Sequence, residues 1–246
     1  MRSASIALVL VVSACGSEND PSSKAIDPSP DLEQRLPVID RRCATLPGDT
    51  AVIKPSKDGK SYFPKSFGKP AQVCEHKGYP ECFATVGKVE IDWYPDQWDA
   101  ADEPSLYERS TPPTSKITSA LRFTWLRSFD HPVIVRIERS GKSARLIAKQ
   151  LTGQGGVEPG IIERLVDRPL SSSEVTKLEL ILSKTKVLDL RATDCDGGTD
   201  GSQWIIESVD RDDYRFVNRF APTEGPVREF GDFALELTGW TVGARY

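Results

Sequence analysis

The sequence predicts an α+β fold: a mainly antiparallel sheet built from hairpins, with two helices packed on it. Three observations predict it. After Ala120, apolar and polar residues alternate with period two in several segments bounded by turn residues. Two further segments carry helical spacing behind recognisable start signals. The strands follow one another through short polar turns, whereas a parallel sheet needs long crossover connections.

The elements follow in chain order. Leu121, Phe123 and Trp125 alternate with Arg122 and Thr124, the pattern of a half-buried strand. His131-Pro132 interrupts the run. Val133, Val135 and Ile137 then alternate against Arg136 and Glu138, Ser140-Gly141-Lys142 turns, and Ala144 to Leu151 runs back. A glycine-rich loop at Gly153 to Gly156 precedes another strand over Ile161 to Arg168. Ser171 and Glu174 form a capping box, in which the serine hydroxyl accepts from the Glu174 amide and the glutamate reaches back to the cap. Leu170 and Val175 make the accompanying staple. Val175, Leu178 and Leu182 share one face of that helix, with Ile181 beside them. It should end near Lys184 to Lys186, where cations suit the helix dipole, and Val187 to Leu190 should leave extended. Ser202 to Asp210 and Tyr214 to Phe220 make a second hairpin across a turn of Asp210, Arg211, Asp212 and Asp213. The last helix starts at Pro226, buries Val227, Phe230, Ala234 and Leu237, and stops before Gly239.

Residues 43–119 form a less regular, proline-rich part of the same expected domain, 43–246. Ala84 to Trp93 reads there as a strand. Trp93, Tyr94 and Trp98, interrupted by Pro95, read as cover over the edge of a core, with an exposed aromatic ligand platform as the alternative.

The amino terminus carries an address. Arg2 gives a positive start, Ile6 to Val12 is an uncharged apolar run, and Ser13 and Ala14 lead to Cys15. That order is the anatomy of a secretory signal peptide. The run is far shorter than the roughly 20 residues that span a bilayer. Val12-Ser13-Ala14-Cys15 resembles the lipobox of bacterial lipoproteins. The resemblance implies that residues 1–14 are removed and that Cys15 is the site of lipid attachment, partnered with the lipid bilayer. Two or more acyl chains are needed for stable anchoring. Gly16, in place of the Asp that retains such proteins at the inner membrane, points to the outer membrane if the source has one. Gly16 to Arg42 is rich in Ser, Pro, Asp and Glu and free of aromatics, so residues 15–42 read as a disordered tether.

Composition bounds the partners. Apolar residues are 38% and charged residues 28%, and net charge is −4. No basic stripe appears, so nucleic acid is not an expected partner. With Cys15 taken by lipid, Cys43, Cys74, Cys82 and Cys195 remain for disulfides in an exported chain. Three connectivities are open, and a local Cys74–Cys82 loop with a long Cys43–Cys195 bridge is favoured. Cys74, His76 and Cys82 match no common zinc spacing.

Catalytic signals are sparse. The two histidines, His76 and His131, lack a visible partner for acid–base chemistry. No nucleophile elbow, zincin motif or Walker loop is present. Asp194, Asp196 and Asp200 lie on a glycine-rich stretch, but their spacing departs from an EF-hand, and Ile205 stands where its Glu would be. The stretch reads as a solvated turn. Glu207, Arg215 and Arg219 are placed to pair across the second hairpin. No metal or cofactor is expected.

From Glu103 onward, the stretches Glu103 to Tyr107 (EPSLY), Arg122 to Phe129 (RFTWLRSF), Asp200 to Glu207 (DGSQWIIE) and Arg219 to Pro222 (RFAP) resemble a family of bacterial envelope lipoproteins. The carboxyl-terminal helix and Gly239-Trp240 complete the likeness. The chain departs at Phe220-Ala221, where the family pattern has a Trp-Ser-like pair. The resemblance implies no activity and no catalytic residue. The expected function is therefore a membrane-anchored envelope lipoprotein, a non-enzymatic binding or structural module for an envelope protein or cell-wall partner. The alternatives are an envelope hydrolase using acidic residues and an inhibitor of a wall-degrading enzyme. A cleft lined by Trp204, Glu207, Arg219 and Arg127 would favour the enzyme.

Overall fold

A computed structural model of the chain describes residues 43, 59–109, 118–211 and 213–246. The signal peptide, Cys15 and the tether lie outside these residues.

A six-stranded antiparallel sheet organises the described chain. Its strands are β3 (Ser119–Arg127), β4 (Val133–Ser140), β5 (Ser143–Leu151), β6 (Ile162–Pro169), β7 (Ser202–Asp210) and β8 (Asp213–Phe220), in the spatial order β6-β5-β4-β3-β7-β8. The first four make a meander, and the carboxyl-terminal hairpin adds to the far side of β3. A separate two-stranded ribbon pairs β1 (Pro70–His76) with β2 (Tyr79–Ala84).

One face of the sheet carries the two expected helices, here α3 (Ser172–Thr185) and α4 (Pro226–Leu237), which follow α1 (Glu90–Ala100) and the one-turn α2 (Leu106–Arg109) in the chain. Leu121, Phe123, Trp125, Val133, Val135, Trp204 and Ile206 meet Leu178, Phe230, Phe233 and Ala234 there. Gly231 lets α4 approach closely, because a methyl group at that position would run into the rings of Trp204 and Phe123. The capping box of α3 is present: the Ser171 hydroxyl accepts from the Glu174 amide, and the Glu174 carboxylate accepts from the Ser171 amide at 2.7 Å. Arg168 adds two further bonds to that carboxylate, at 2.6 and 3.0 Å. The Arg168 and Ser171 bonds hold the Glu174 carboxyl down at about 2. A depressed carboxyl contributes stability above its unfolded value and loses it as pH falls through its folded value. Glu174→Gln is therefore expected to lower stability at neutral pH by about 1 kcal/mol, an effect that fades between about pH 4.5 and pH 2. Urea denaturation of both proteins across that range measures it. After α3, Val187–Asp189 forms one 3-10 turn where an extended stretch was expected, because Lys186 turns into the left-handed region at φ 49°.

The opposite face is covered as well. Tyr62, Phe63, Phe67, Ile91, Tyr94, Trp98 and Leu106 pack against Ala120, Leu126, Ile134, Ile205, Val209 and Phe216. The expected polar side of β3 is thus interior, and the strand is buried from Ala120 to Arg127.

The largest departure from expectation is a helix, α1 (Glu90–Ala100), across the end of the segment read as a strand. Gly87 starts it by accepting from the Ile91 amide, and Glu90 and Asp92 suit its positive end. Ile91, Tyr94, Trp98 and Ala101 recur at helical spacing and are all buried. Pro95 removes one backbone donor but lies within the helix. Tyr94 and Trp98 belong to the core, and the half-buried Trp93 donates to the Gly155 carbonyl, so the three aromatics cover a core as expected.

The disulfides differ from the favoured pairing. Cys43 bonds Cys82 and Cys74 bonds Cys195, each pair with Cα atoms 5.5 Å apart. In the ribbon, Cys82 stands opposite Val73, while Cys74 stands opposite Glu81. Successive side chains of a strand point to opposite faces, so Cys74 and Cys82 project from different faces and cannot meet.

Candidate functional site

The strongest concentration of ionisable groups lies between the sheet and its amino-terminal cover. Glu207 on β7, Arg122 on β3 and Arg136 on β4 stand directly opposite one another in one row across three strands. Arg122 and Glu207 are fully buried. Arg122 Nε and Nη2 reach Glu207 Oε2 at 2.7 and 2.5 Å. The Tyr214 hydroxyl donates to Glu207 Oε1 at 2.9 Å. The guanidinium also lies 4.2 Å from the ring centroid of Trp98, a favourable seat for a cation.

Arg122 and Arg136 are like charges in register, which is unfavourable without a counter-ion. Glu103 supplies it from outside the sheet. α1 ends with Asp102 in the left-handed region at φ 49°. The Asp102 amide donates to Asp99 O and the Glu103 amide to Trp98 O, completing a Schellman motif. The turn sets Glu103 over the strands. Its Oε2 accepts from Arg136 Nε at 2.7 Å and lies 3.7 Å from Arg122 Nη1, while Oε1 is 2.8 Å from Lys149 Nζ on β5. Lys149 also donates to the carbonyls of Ala101 and Asp102, at the negative end of α1. Glu138 joins Arg136 to Arg109, 2.8 Å away.

Burial pushes the Glu103 carboxyl up, but Arg136, Arg122 and Lys149 together hold it below the ordinary carboxylate value. Burial dominates at Glu207 and raises its carboxyl against the pull of Arg122 and Tyr214. Burial and Glu207 together push the Tyr214 hydroxyl well up. Each charge here already has an internal counter-ion. The arrangement ties β3, β4, β5, β7 and, through Tyr214, β8 to the covering layer.

The four residues expected to line a cleft are not brought together. Trp204 and Glu207 sit an odd number of positions apart on one strand and face opposite sides: Trp204 lies in the helix-side core, and Glu207 in the charged row. Arg127 lies 4.3 Å from the ring centroid of Trp125 and donates to the His131 carbonyl. Arg219 pairs with Asp194 at 2.9 Å and donates to the carbonyls of Arg191 and Asn218. The expected pairing of Glu207, Arg215 and Arg219 is also replaced, since Arg215 bonds Asp189 and Asp213. His131 Nδ1 lies 2.9 Å from the Gly153 carbonyl oxygen. Cys74 and Cys82 are committed to disulfides, which removes them as zinc ligands.

The quoted sequence stretches acquire packing roles. Within EPSLY, Glu103 is the counter-ion, the Pro104 carbonyl accepts from Arg122, the Ser105 hydroxyl accepts from the Glu108 amide, and Leu106 is buried. Within DGSQWIIE, Gly201 lies against the Phe220 ring of RFAP. Glu103, Arg136 and Lys149 were missed as a group. The readable signal was the shared strand parity of Arg122, Arg136 and Glu207, whereas no local pattern announces that Glu103 lies above them.

No family model and no curated protein matches the sequence.

Proposed function

We propose that this protein is an envelope lipoprotein, anchored through Cys15, whose α+β module binds an envelope protein by accepting an extended segment along β6. The observation that carries the binding role is the contrast between the two edges of the sheet. The β8 edge is covered: Asn218 N donates to Ala192 O, and Arg215 and Arg219 donate to the carbonyls of Leu188 and Arg191. Among the described residues β6 pairs with β5 alone. Leu170 N donates to Ala144 O beyond the paired Pro169 and Arg145. Alternation of the antiparallel ladder therefore turns the main-chain groups of Leu165 and Asp167 outward. Ile161 and Leu165 are 72% and 59% exposed beside them. An exposed edge with apolar side chains is a template for strand addition. The lipobox-like segment and two disulfides, which persist in oxidising compartments, support the envelope address. The pairing of buried acids with cations supports a structural role for those acids.

Membrane fractionation of cells making wild-type and Cys15→Ala protein tests the anchor. The wild type is expected in the membrane fraction and Cys15→Ala in the soluble envelope fraction. A variant that still partitions with membranes overturns the anchor. For the binding role, a photo-crosslinker at position 165 of the anchored protein should capture a protein that the same probe at Leu180, an exposed position on α3, does not. Leu165→Pro, which removes an outward donor and no internal ladder bond, should abolish an interaction with that protein. Equal capture from both positions overturns the edge.

A further inference from the structure

A cavity of about 260 Å³ opens between the start of α1, the end of β2, β8 and the loop that carries Cys195. Thr85, Glu90, Tyr94, Asp194, Asp196 and Asn218 contribute to its wall. The Cys74–Cys195 disulfide closes one side and fixes the acidic loop to the β1–β2 ribbon.

Among the described residues, two of its polar atoms lack what burial normally demands. Thr85 is 4% exposed, and its hydroxyl has no hydrogen-bond partner. Asn218 gives its amide nitrogen to the Tyr94 hydroxyl at 3.1 Å, while its carbonyl oxygen is buried and unpaired. A buried polar atom without a partner is costly because it has given up its hydrogen bonds to water, so two in one cavity point to a missing polar partner. The wall is also one-sided in charge. Among the described residues it holds the carboxylates of Glu90, Asp194 and Asp196, and no Lys, Arg or His. Arg219 pairs directly with Asp194 from outside the wall and also feels Asp196, one cation against two carboxylates. An anion would meet repulsion there. The space is also several times the roughly 30 Å³ of one water, and no group of three metal-ligating side chains occurs among the described residues. The geometry asks for an organic cation with hydroxyl groups.

We propose that this cavity binds a small hydroxylated primary amine, an amino sugar or amino alcohol. Its ammonium lies between Glu90 and the Asp194–Asp196 turn, and its hydroxyls reach Thr85 and Asn218. This inference does not depend on the membrane anchor or on the β6 edge.

Titration of the disulfide-intact protein with glucosamine, followed by amide NMR, tests it. Glucose, glucuronate and calcium chloride serve as separate probes. Saturable shifts at Thr85, Glu90 and Asn218 are expected with glucosamine, at least about tenfold tighter than with glucose, and none with glucuronate. Thr85→Val should weaken glucosamine binding about tenfold while leaving the melting temperature unchanged or higher, because it removes an unpaired hydroxyl. Glu90→Gln, at the half-buried start of α1, should weaken glucosamine binding and bring it to the level of glucose. No response to glucosamine, an equal response to glucose, or calcium displacing glucosamine overturns the proposal. So does a Thr85→Val protein that binds like the wild type, or one that melts lower because its hydroxyl was already satisfied. If Thr85→Val does not fold, Glu90→Gln decides alone: unchanged preference for glucosamine overturns the assignment.

Discussion

Glu103→Gln is expected to destabilise the folded protein by about 3–5 kcal/mol at neutral pH, the cost of removing one partner from a buried ion cluster. The substitution nearly preserves shape, so the loss isolates charge. Arg136 and Lys149 would keep their burial without their common counter-ion, and Arg122 would face Arg136 across the β3–β4 register with nothing between them. Guanidinium denaturation gives the free energy. The pH dependence provides an independent sign. The Glu103 carboxyl is held below its ordinary value, so its contribution is present above the unfolded value and fades as pH falls through the folded one. The difference between wild type and Glu103→Gln should therefore shrink in acid. A difference under 1 kcal/mol at pH 7, or one that grows in acid, would show that the cluster is not held as described.

Removing the long disulfide is the second large effect. Cys74 and Cys195 are 121 residues apart, whereas Cys43 and Cys82 are separated by 39. Loop-closure entropy assigns about 4–5 kcal/mol to a link of the longer span, and about 1 kcal/mol less to the shorter. The double variant Cys74→Ser, Cys195→Ser is thus expected to be less stable than Cys43→Ser, Cys82→Ser. Urea unfolding of both variants ranks them. Proteolytic mapping without reduction should recover a peptide pair joining Cys74 to Cys195. A Cys74–Cys82 peptide would refute the connectivity.

Much of the fold was legible because local signals agreed. The alternation from Leu121 to Ile137, the turn at Gly141, the capping box at Ser171 and Pro226 at the start of α4 each named an element that is present. The covering layer was harder to read. Pro95 and three closely spaced aromatics obscured the spacing of Ile91, Tyr94, Trp98 and Ala101, so a helix read as an extended stretch. The alternation in β3 also misled. Arg122 and Thr124 resemble a solvent face, but Arg122 is neutralised internally and Thr124 accepts from the Trp98 indole at 2.9 Å. Periodicity reports polarity, and polarity marks the outside only when no partner waits within. The proposed four-residue cleft failed on parity alone: Trp204 and Glu207 cannot share a face of one strand. The disulfide pairing failed for the same reason at Cys74 and Cys82. The Thr85–Asn218 cavity was not legible at all, because its walls come from four separate stretches of chain.

The order of strands sets a schedule for assembly. β3 lies in the interior of the sheet, yet one of its neighbours, β7, begins 75 positions after β3 ends, at Ser202 against Arg127. A chain synthesised from its amino terminus can pair β3, β4, β5 and β6 early, in a meander of local contacts. Until the last hairpin emerges, that meander has a second raw edge along β3, and Arg122 has no Glu207. The 45 residues from Ser202 to Tyr246 therefore close the sheet, supply Glu207 to its innermost arginine and lay α4 over its aromatic face. Chains interrupted before them would present a sticky β3 edge on which Arg122 shares Glu103 with Arg136 and Lys149 and lacks Glu207, the form most exposed to proteases and to pairing with one another.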